Sequence, residues 1–307
     1  MKYLILKITN RCNLNCIYCY ANNNDNNSNI DDNNNSNNNN DRDNSCKKDM
    51  DFKTAKNAID YILKTDHNLK IQFTGGEPLL NFKLIEDIVN YCNKAHTNKN
   101  ISYAVQTNGT LLNEEIIEKI KKLNINIGVS IDTADIKDNT LRPYKNGSSS
   151  TLDTIRGIYL LKNNKVPFGI TTVVTNKNLP HIKDFVEYLM ALGIKSISFD
   201  LLKPKKKEHL KLMPNENEFN KILKDLNNYP IYIKNLQKRP KDKYCYLNSG
   251  DLLFVNEVGD IYPCPTLEGY FYMGNINNTN NKEKLTLFKI KCDYCFAKRF
   301  LVNKLIN

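Results

Sequence analysis

Six times between Tyr3 and Leu201 a short apolar run is followed by an amphipathic helical pattern or a polar loop, and that alternation leaves few folds open. The runs at 3–8, 70–74, 102–106, 125–129, 168–174 and 196–201 are short and read as strands, the first of them apolar and β-branched in part. The intervals read as helices. Asp51 is placed to cap one with Phe52, Ala55, Ile59, Ile62 and Leu63 at helical spacing. Asn81 is placed to cap the next, whose stripe is Leu84, Ile85, Ile88, Val89 and Cys92; Cys92 therefore belongs to the core. A third starts at Asn113, with Glu114 and Glu115 at the positive end of its dipole. A fourth, from about Thr151, carries Leu152, Ile155, Ile158 and Tyr159. The last starts near Pro180, carries Ile182, Phe185, Val186 and Leu189, and stops at Gly193. Alternating strands and helices predict a parallel sheet with right-handed crossovers, and six units suit an open or partial barrel better than a closed one.

Polar clusters fall just after the strands: Cys12-x3-Cys16-x2-Cys19, Gly75-Gly76-Glu77-Pro78, Thr107-Asn108-Gly109, Ser130-Ile131-Asp132 and Thr175-Asn176. Parallel α/β folds carry their active sites at that edge. Three thiolates on one loop would leave a four-iron cluster with one iron lacking a protein ligand, and an open iron binds a small molecule. On spacing alone, a zinc site or unrelated cysteines remain open.

Composition narrows the class. Nine cysteines without a signal-peptide pattern point to a reducing, cytoplasmic setting and to metal binding rather than disulfides. The opening MKYLILKITN reads as a strand running into the cysteines, not as a signal peptide. No 18-residue apolar run exists, so no membrane span is expected. The net charge of +11 permits nucleic acid, but it is scattered, no binding motif accompanies it, and abundant Lys, Asn and Ile follow from A/T-rich codons. Nucleic acid is not the expected partner.

Three segments interrupt or follow the core (1–202). Residues 22–49, mostly Asn, Asp and Ser, read as a disordered insertion, with Cys46 a free thiol at its far edge. Residues 203–242, opening KPKKKEHLKL, read as a charged, solvated linker followed by a helix over 215–226. From 243 to 307 comes a small cysteine-rich unit with Cys245, Cys264, Cys292 and Cys295. A hairpin over 252–256 and 260–262 would bring Cys245 near Cys264. Four thiolates fully ligate either a [4Fe–4S] cluster or a zinc ion.

The cysteine loop after the first strand, the aromatic Tyr18 before its third cysteine and GGEP after the second strand together resemble the radical S-adenosylmethionine (SAM) superfamily. The resemblance implies a partial (β/α)6 barrel with a [4Fe–4S] cluster on Cys12, Cys16 and Cys19 and SAM chelating its open iron. It implies that Gly75, Gly76 and Glu77 clamp the methionine amino group through backbone oxygens, with the carboxylate as a further contact. Ser130 and Arg142 match positions for the ribose and the methionine carboxylate, where an Arg fork suits a carboxylate; Asn108 and Thr175 are candidates for the nucleoside end. It further implies reductive cleavage of SAM to a 5′-deoxyadenosyl radical that takes hydrogen from a substrate, with a ferredoxin or flavodoxin as electron donor. The C-terminal cysteines are similar to the SPASM/twitch extension, a hairpin-plus-helix unit with an auxiliary [4Fe–4S] cluster. The longer SPASM form has further cysteines, and this chain runs only twelve residues past Cys295, which favours the twitch form. The expected substrate is a peptide or protein; small-molecule alcohol dehydrogenation and RNA modification are the alternatives. No general base stands out.

Overall fold

The computed structural model describes residues 1–21, 49–138, 140–237, 245–278 and 288–307. The expected insertion, including Cys46, lies outside the described residues except for Asp49. The core runs β1 (Lys2–Thr9), α1 (Phe52–Leu63), β2 (Asn68–Gly75), α2 (Phe82–Ala95), β3 (Asn100–Thr107), α3 (Glu114–Lys122), β4 (Ile125–Ser130), α4 (Thr151–Asn163), β5 (Phe168–Val174), α5 (Ile182–Ala191) and β6 (Ser196–Leu201). Each of these strands pairs in parallel with the next, as the alternation required. After β6 come α6 (Lys207–Leu210), α7 (Glu216–Asp225), β7 (Tyr232–Ile233), α8 (Tyr246–Ser249), β8 (Leu252–Val255), β9 (Ile261–Tyr262) and α9 (Phe296–Ile306). The sheet order is β7-β6-β5-β4-β3-β2-β1-β8-β9, unclosed.

A two-residue period gives the sheet two different faces. Leu4, Leu6 and Ile8 of β1, Ile71 and Phe73 of β2, and Ile127 and Val129 of β4 are buried in the main core with the inner stripes of the helices. Each such side chain contributes roughly 1.5–3 kcal/mol. Many alternate positions are polar, and Lys7, Gln72, Thr74, Gln106, Ser130 and Ser198 line a cavity. A strand face built from amides and hydroxyls is a poor core and a good ligand wall.

Local signals behave as elementary chemistry dictates, with three exceptions. Asp51 accepts from the Thr54 N–H at 2.7 Å and Asn113 from the Ile116 N–H at 2.9 Å, capping α1 and α3. Gly193 closes the α5 end with φ +74°, a left-handed turn that favours glycine. Asn81, however, makes no cap bond: a 3₁₀ turn, Pro78–Asn81, runs straight into α2, and Asn81 Nδ2 instead donates to the Ile8 carbonyl at 3.0 Å. Phe52 of α1 and Leu152 and Tyr159 of α4 are exposed, because the helices bury Ala55, Ile59, Ile62 and Leu63, and Ile155, Ile158 and Leu161, instead. The third exception is the linker. Lys203 is held against the cavity, and Lys205 bonds Glu268.

The hairpin forms as expected, with Phe254 opposite Tyr262 and Val255 opposite Ile261. Its first strand also pairs in parallel with β1, Tyr3 to Leu6 against Leu252 to Val255. The C-terminal cysteine region is thereby anchored on the same sheet as the first cysteine loop. Among the described residues no helix is long and apolar enough to cross a membrane.

Candidate active site and metal centres

The loop that carries Cys12, Cys16 and Cys19 is pinned from two sides. The Asn15 and Ile17 N–H groups donate to the carbonyls of Pro143 and Leu141 at 2.8 and 3.1 Å. On the other side the Gly76 N–H donates to the Thr9 carbonyl at 2.9 Å and the Glu77 N–H to that of Arg11 at 2.8 Å. A Cβ on Gly75 would lie 2.2 Å from the Thr9 oxygen, and one on Gly76 2.2 Å from the Arg11 oxygen. The double glycine therefore makes room for the backbone of the cysteine loop itself.

Glu77 is fully buried, and its carboxylate is already engaged. Oε1 accepts from the Leu79 N–H at 3.0 Å and the Thr107 hydroxyl at 2.7 Å, and Oε2 accepts from the Asn108 N–H at 2.7 Å. Burial pushes this carboxyl up, and the three donors oppose the shift. Gly75 and Gly76 line the cavity; Glu77 does not. Its carboxylate acts as a tie between the β2 and β3 loops rather than as a ligand contact.

One cavity of about 1530 Å³ collects most of the expected residues. Cys12, Cys16, Cys19, Tyr18, Asn108, Ser130 and Arg142 all line it. Ser130 Oγ accepts from Gln106 Nε2 at 2.8 Å, and Asn108 Nδ2 donates to Asn13 Oδ1 at 2.9 Å. Thr175 does not line it. This residue is fully buried and donates its N–H to Asn178 Oδ1 at 2.8 Å, a loop-closing contact that gives it no access to a nucleoside.

Asp132, which the sequence reading left without a role, organises one wall. The Tyr18 hydroxyl donates to Asp132 Oδ2, Arg142 Nη1 donates to the Tyr18 oxygen at 2.8 Å, and the Val173 N–H donates to Asp132 Oδ1 at 2.8 Å. Burial pushes the Asp132 carboxyl up, while Arg142, Tyr18 and the Val173 N–H oppose it. Burial also works against the Arg142 charge, but the neighbouring Cys16, Tyr18 and Asp132 hold it well above its usual value. Arg142 Nε is buried without a hydrogen-bond partner, a donor left over in a cavity wall. The SAM carboxylate is a ligand of the right charge for the Arg142 guanidinium, which lines the cavity.

The thiols fit a metal by their chemistry. Burial pushes Cys16 up to about 12 and Cys264 up to about 12, and it raises Cys12 and Cys245 as well. Buried thiols of this kind ionise when a cation binds them. Backbone N–H groups point at two of the sulfurs, Leu14 to Cys12 Sγ and Leu247 to Cys245 Sγ, each at 3.4 Å. Asn248 links the second group: its Oδ1 accepts from the Cys245 N–H at 2.8 Å, and its Nδ2 donates to the Cys292 carbonyl at 2.6 Å. Cys245 and Cys295 line the same cavity as the first three cysteines; Cys264 and Cys292 do not. Among the described residues no three His, Cys, Asp or Glu meet the geometry of a single-ion site, so the case for metal rests on donor chemistry.

A further charged group was also missed. Lys7 Nζ lies 2.9 Å from Glu268 Oε1 and 3.2 Å from Glu257 Oε2, all three residues being buried. The signal was a lysine inside the apolar strand YLILKI, but its partners lie some 250 or more residues away.

Comparison with known proteins agrees with this geometry. The family model of the radical SAM superfamily matches residues 6–189. An uncharacterised protein of Methanocaldococcus jannaschii is 66% identical over 98% of this chain and 97% of its own length. A cysteine-type anaerobic sulfatase-maturating enzyme of Clostridium novyi is 27% identical over 65% of this chain, which spans 50% of that relative. The solved structure of native anSMEcpe with bound AdoMet and Cp18Cys peptide superposes with a TM-score of 0.71 at 21% identity, covering 90% of this chain and 77% of that one, and so shares the fold. The chain belongs to the radical SAM superfamily, whose [4Fe–4S] cluster and S-adenosylmethionine are its cofactors.

Proposed function

We propose that this radical SAM enzyme modifies a peptide or protein, and that Cys245, Cys264, Cys292 and Cys295 hold an auxiliary [4Fe–4S] cluster. The carrying observation is that Cys245 and Cys295 face the same cavity as Cys12, Cys16 and Cys19. When bound, the first cluster and SAM supply a 5′-deoxyadenosyl radical that removes a hydrogen atom from substrate.

The chain's own residues do the rest. Cys12, Cys16 and Cys19 are the thiolate ligands, and Gly75 and Gly76 present backbone beside them. Arg142 lines the cavity and offers its guanidinium charge to the methionine carboxylate, with Tyr18 and Asp132 keeping it in place. Ser130 and Asn108 line the cavity for the nucleoside. The cavity, about 1530 Å³, is the place where the first cluster, SAM and a substrate would meet. A polypeptide substrate is supported by the relative that matures a sulfatase. A ferredoxin or flavodoxin serves as electron donor.

Anaerobic reconstitution tests the reading. Iron analysis and electron paramagnetic resonance should find two four-iron clusters, with SAM perturbing only one. Changing Cys12, Cys16 and Cys19 to Ala should abolish 5′-deoxyadenosine formation and leave one cluster. Bound zinc, or a single cluster in the unmutated protein, overturns the auxiliary-cluster assignment. Peptides prepared from the source organism should acquire a mass change with the enzyme, reductant and SAM, and not with the triple variant. A change confined to small metabolites or RNA overturns the substrate class.

A further inference from the structure

The stretch Lys203-Pro204-Lys205 has the composition of a solvated connector, yet its lysines point inward. The Lys203 side chain is 16% exposed and lines the cavity together with Cys19, Tyr20, Cys245 and Cys295. It is ion-paired to Asp200, whose side chain is 51% exposed. Asp200 lines the same cavity, but its carboxylate is the more exposed partner, so water screens it more than the ammonium. Lys205 Nζ donates to the Glu268 carbonyl at 2.6 Å and stands 5.0 Å from the Tyr270 ring centroid.

The electrostatics agree with this placement. Lys203 acts on Cys245 and Cys264 in the direction that favours their thiolates, and Cys295 acts on Lys203 in turn. Cys19, Lys203, Asp200 and Cys264 all act on the Tyr20 hydroxyl. Lys203 is thus a cation in the cavity wall that also carries cysteines of both groups.

A cluster held by four thiolates carries one more negative charge reduced than oxidised. A fixed cation in a poorly solvated wall favours the reduced form and raises the reduction potential. Resting on the auxiliary-cluster reading above, we propose that Lys203 is the counter-charge that sets the reduction potential of the C-terminal cluster. It acts through the cluster's field and not by touching substrate.

The test uses the full chain with Cys12, Cys16 and Cys19 changed to Ala, so that only the second cluster contributes. A redox titration followed by electron paramagnetic resonance compares this background with added Lys203→Met, Lys203→Arg or Asp200→Asn. Lys203→Met should shift the midpoint potential to more negative values at unchanged iron content. Lys203→Arg should restore it, and Asp200→Asn should shift it the opposite way. If Lys203→Met binds less iron, Lys203→Gln at full iron content decides. Retained iron with an unmoved potential overturns the role of Lys203 alone. A background that binds no iron, or binds zinc, overturns the auxiliary-cluster reading and this inference together.

Discussion

Glu77→Gln changes one oxygen of a fully buried carboxylate to an amide nitrogen, and its consequence can be worked from three distances. The amide oxygen keeps the Leu79 N–H at 3.0 Å and the Thr107 hydroxyl at 2.7 Å. The new NH2 then faces the Asn108 N–H, which now sits 2.7 Å from an acceptor. Two donors opposed leave one buried N–H unsatisfied, which costs about 1–3 kcal/mol. The two retained bonds lose their charge assistance, about 1 kcal/mol each. Burying an amide costs less than burying a carboxylate, and that offsets part of the loss. The expected net destabilisation is about 2–4 kcal/mol, or roughly 3–6 °C in Tm for a chain of 307 residues. Because burial raises the Glu77 carboxyl in the folded state, the native protein holds that proton to higher pH than the unfolded chain. Wild-type stability therefore falls as pH rises from the unfolded value of about 4.3 through the raised native value, then levels. The variant lacks this contribution, so the stability gap between the two narrows over that window and is constant above it. Anaerobic thermal unfolding across pH measures both effects, and amide exchange reports the Asn108 N–H directly. An unchanged Tm with an unchanged Asn108 exchange rate would refute Glu77 as the tie between these loops.

Two further changes probe the same architecture. Gly76→Ala places a Cβ 2.2 Å from the Arg11 oxygen and 2.6 Å from its carbon, both backbone atoms; it should cost about 1–3 kcal/mol and displace the cysteine loop. Iron bound by Cys12, Cys16 and Cys19 should drop while the second cluster persists, and full iron at both would count against it. Lys7→Met strands two buried carboxylates and should cost about 3–5 kcal/mol in denaturant unfolding. Adding Glu257→Gln and Glu268→Gln should recover much of that loss; simple additivity of the three changes would show that they do not act as one ionic group.

Local chemistry made much of this protein legible without a structure. A two-residue period in short apolar runs and a 3.6-residue period between them specify strands and helices, and their alternation specifies parallel pairing. Asp51, Asn113 and Gly193 act on groups within a few residues, so their roles could be read directly. The Cys12-x3-Cys16-x2-Cys19 spacing together with GGEP carried the family. Tertiary structure decided what depends on partners far along the chain. Whether Glu77 faces a ligand or Asn108, and whether Leu152 meets the core or solvent, turns on the neighbours brought alongside. Tyr18 and Asp132 are 114 positions apart, and Lys7 and Glu268 are 261 apart. Propensity and spacing act over one or two helical turns, whereas these contacts exist only once the sheet has ordered its strands. The same holds for the pairing of β8 with β1, which brings the second cysteine group to the cavity of the first and turns Lys203 from an apparent linker charge into part of its wall.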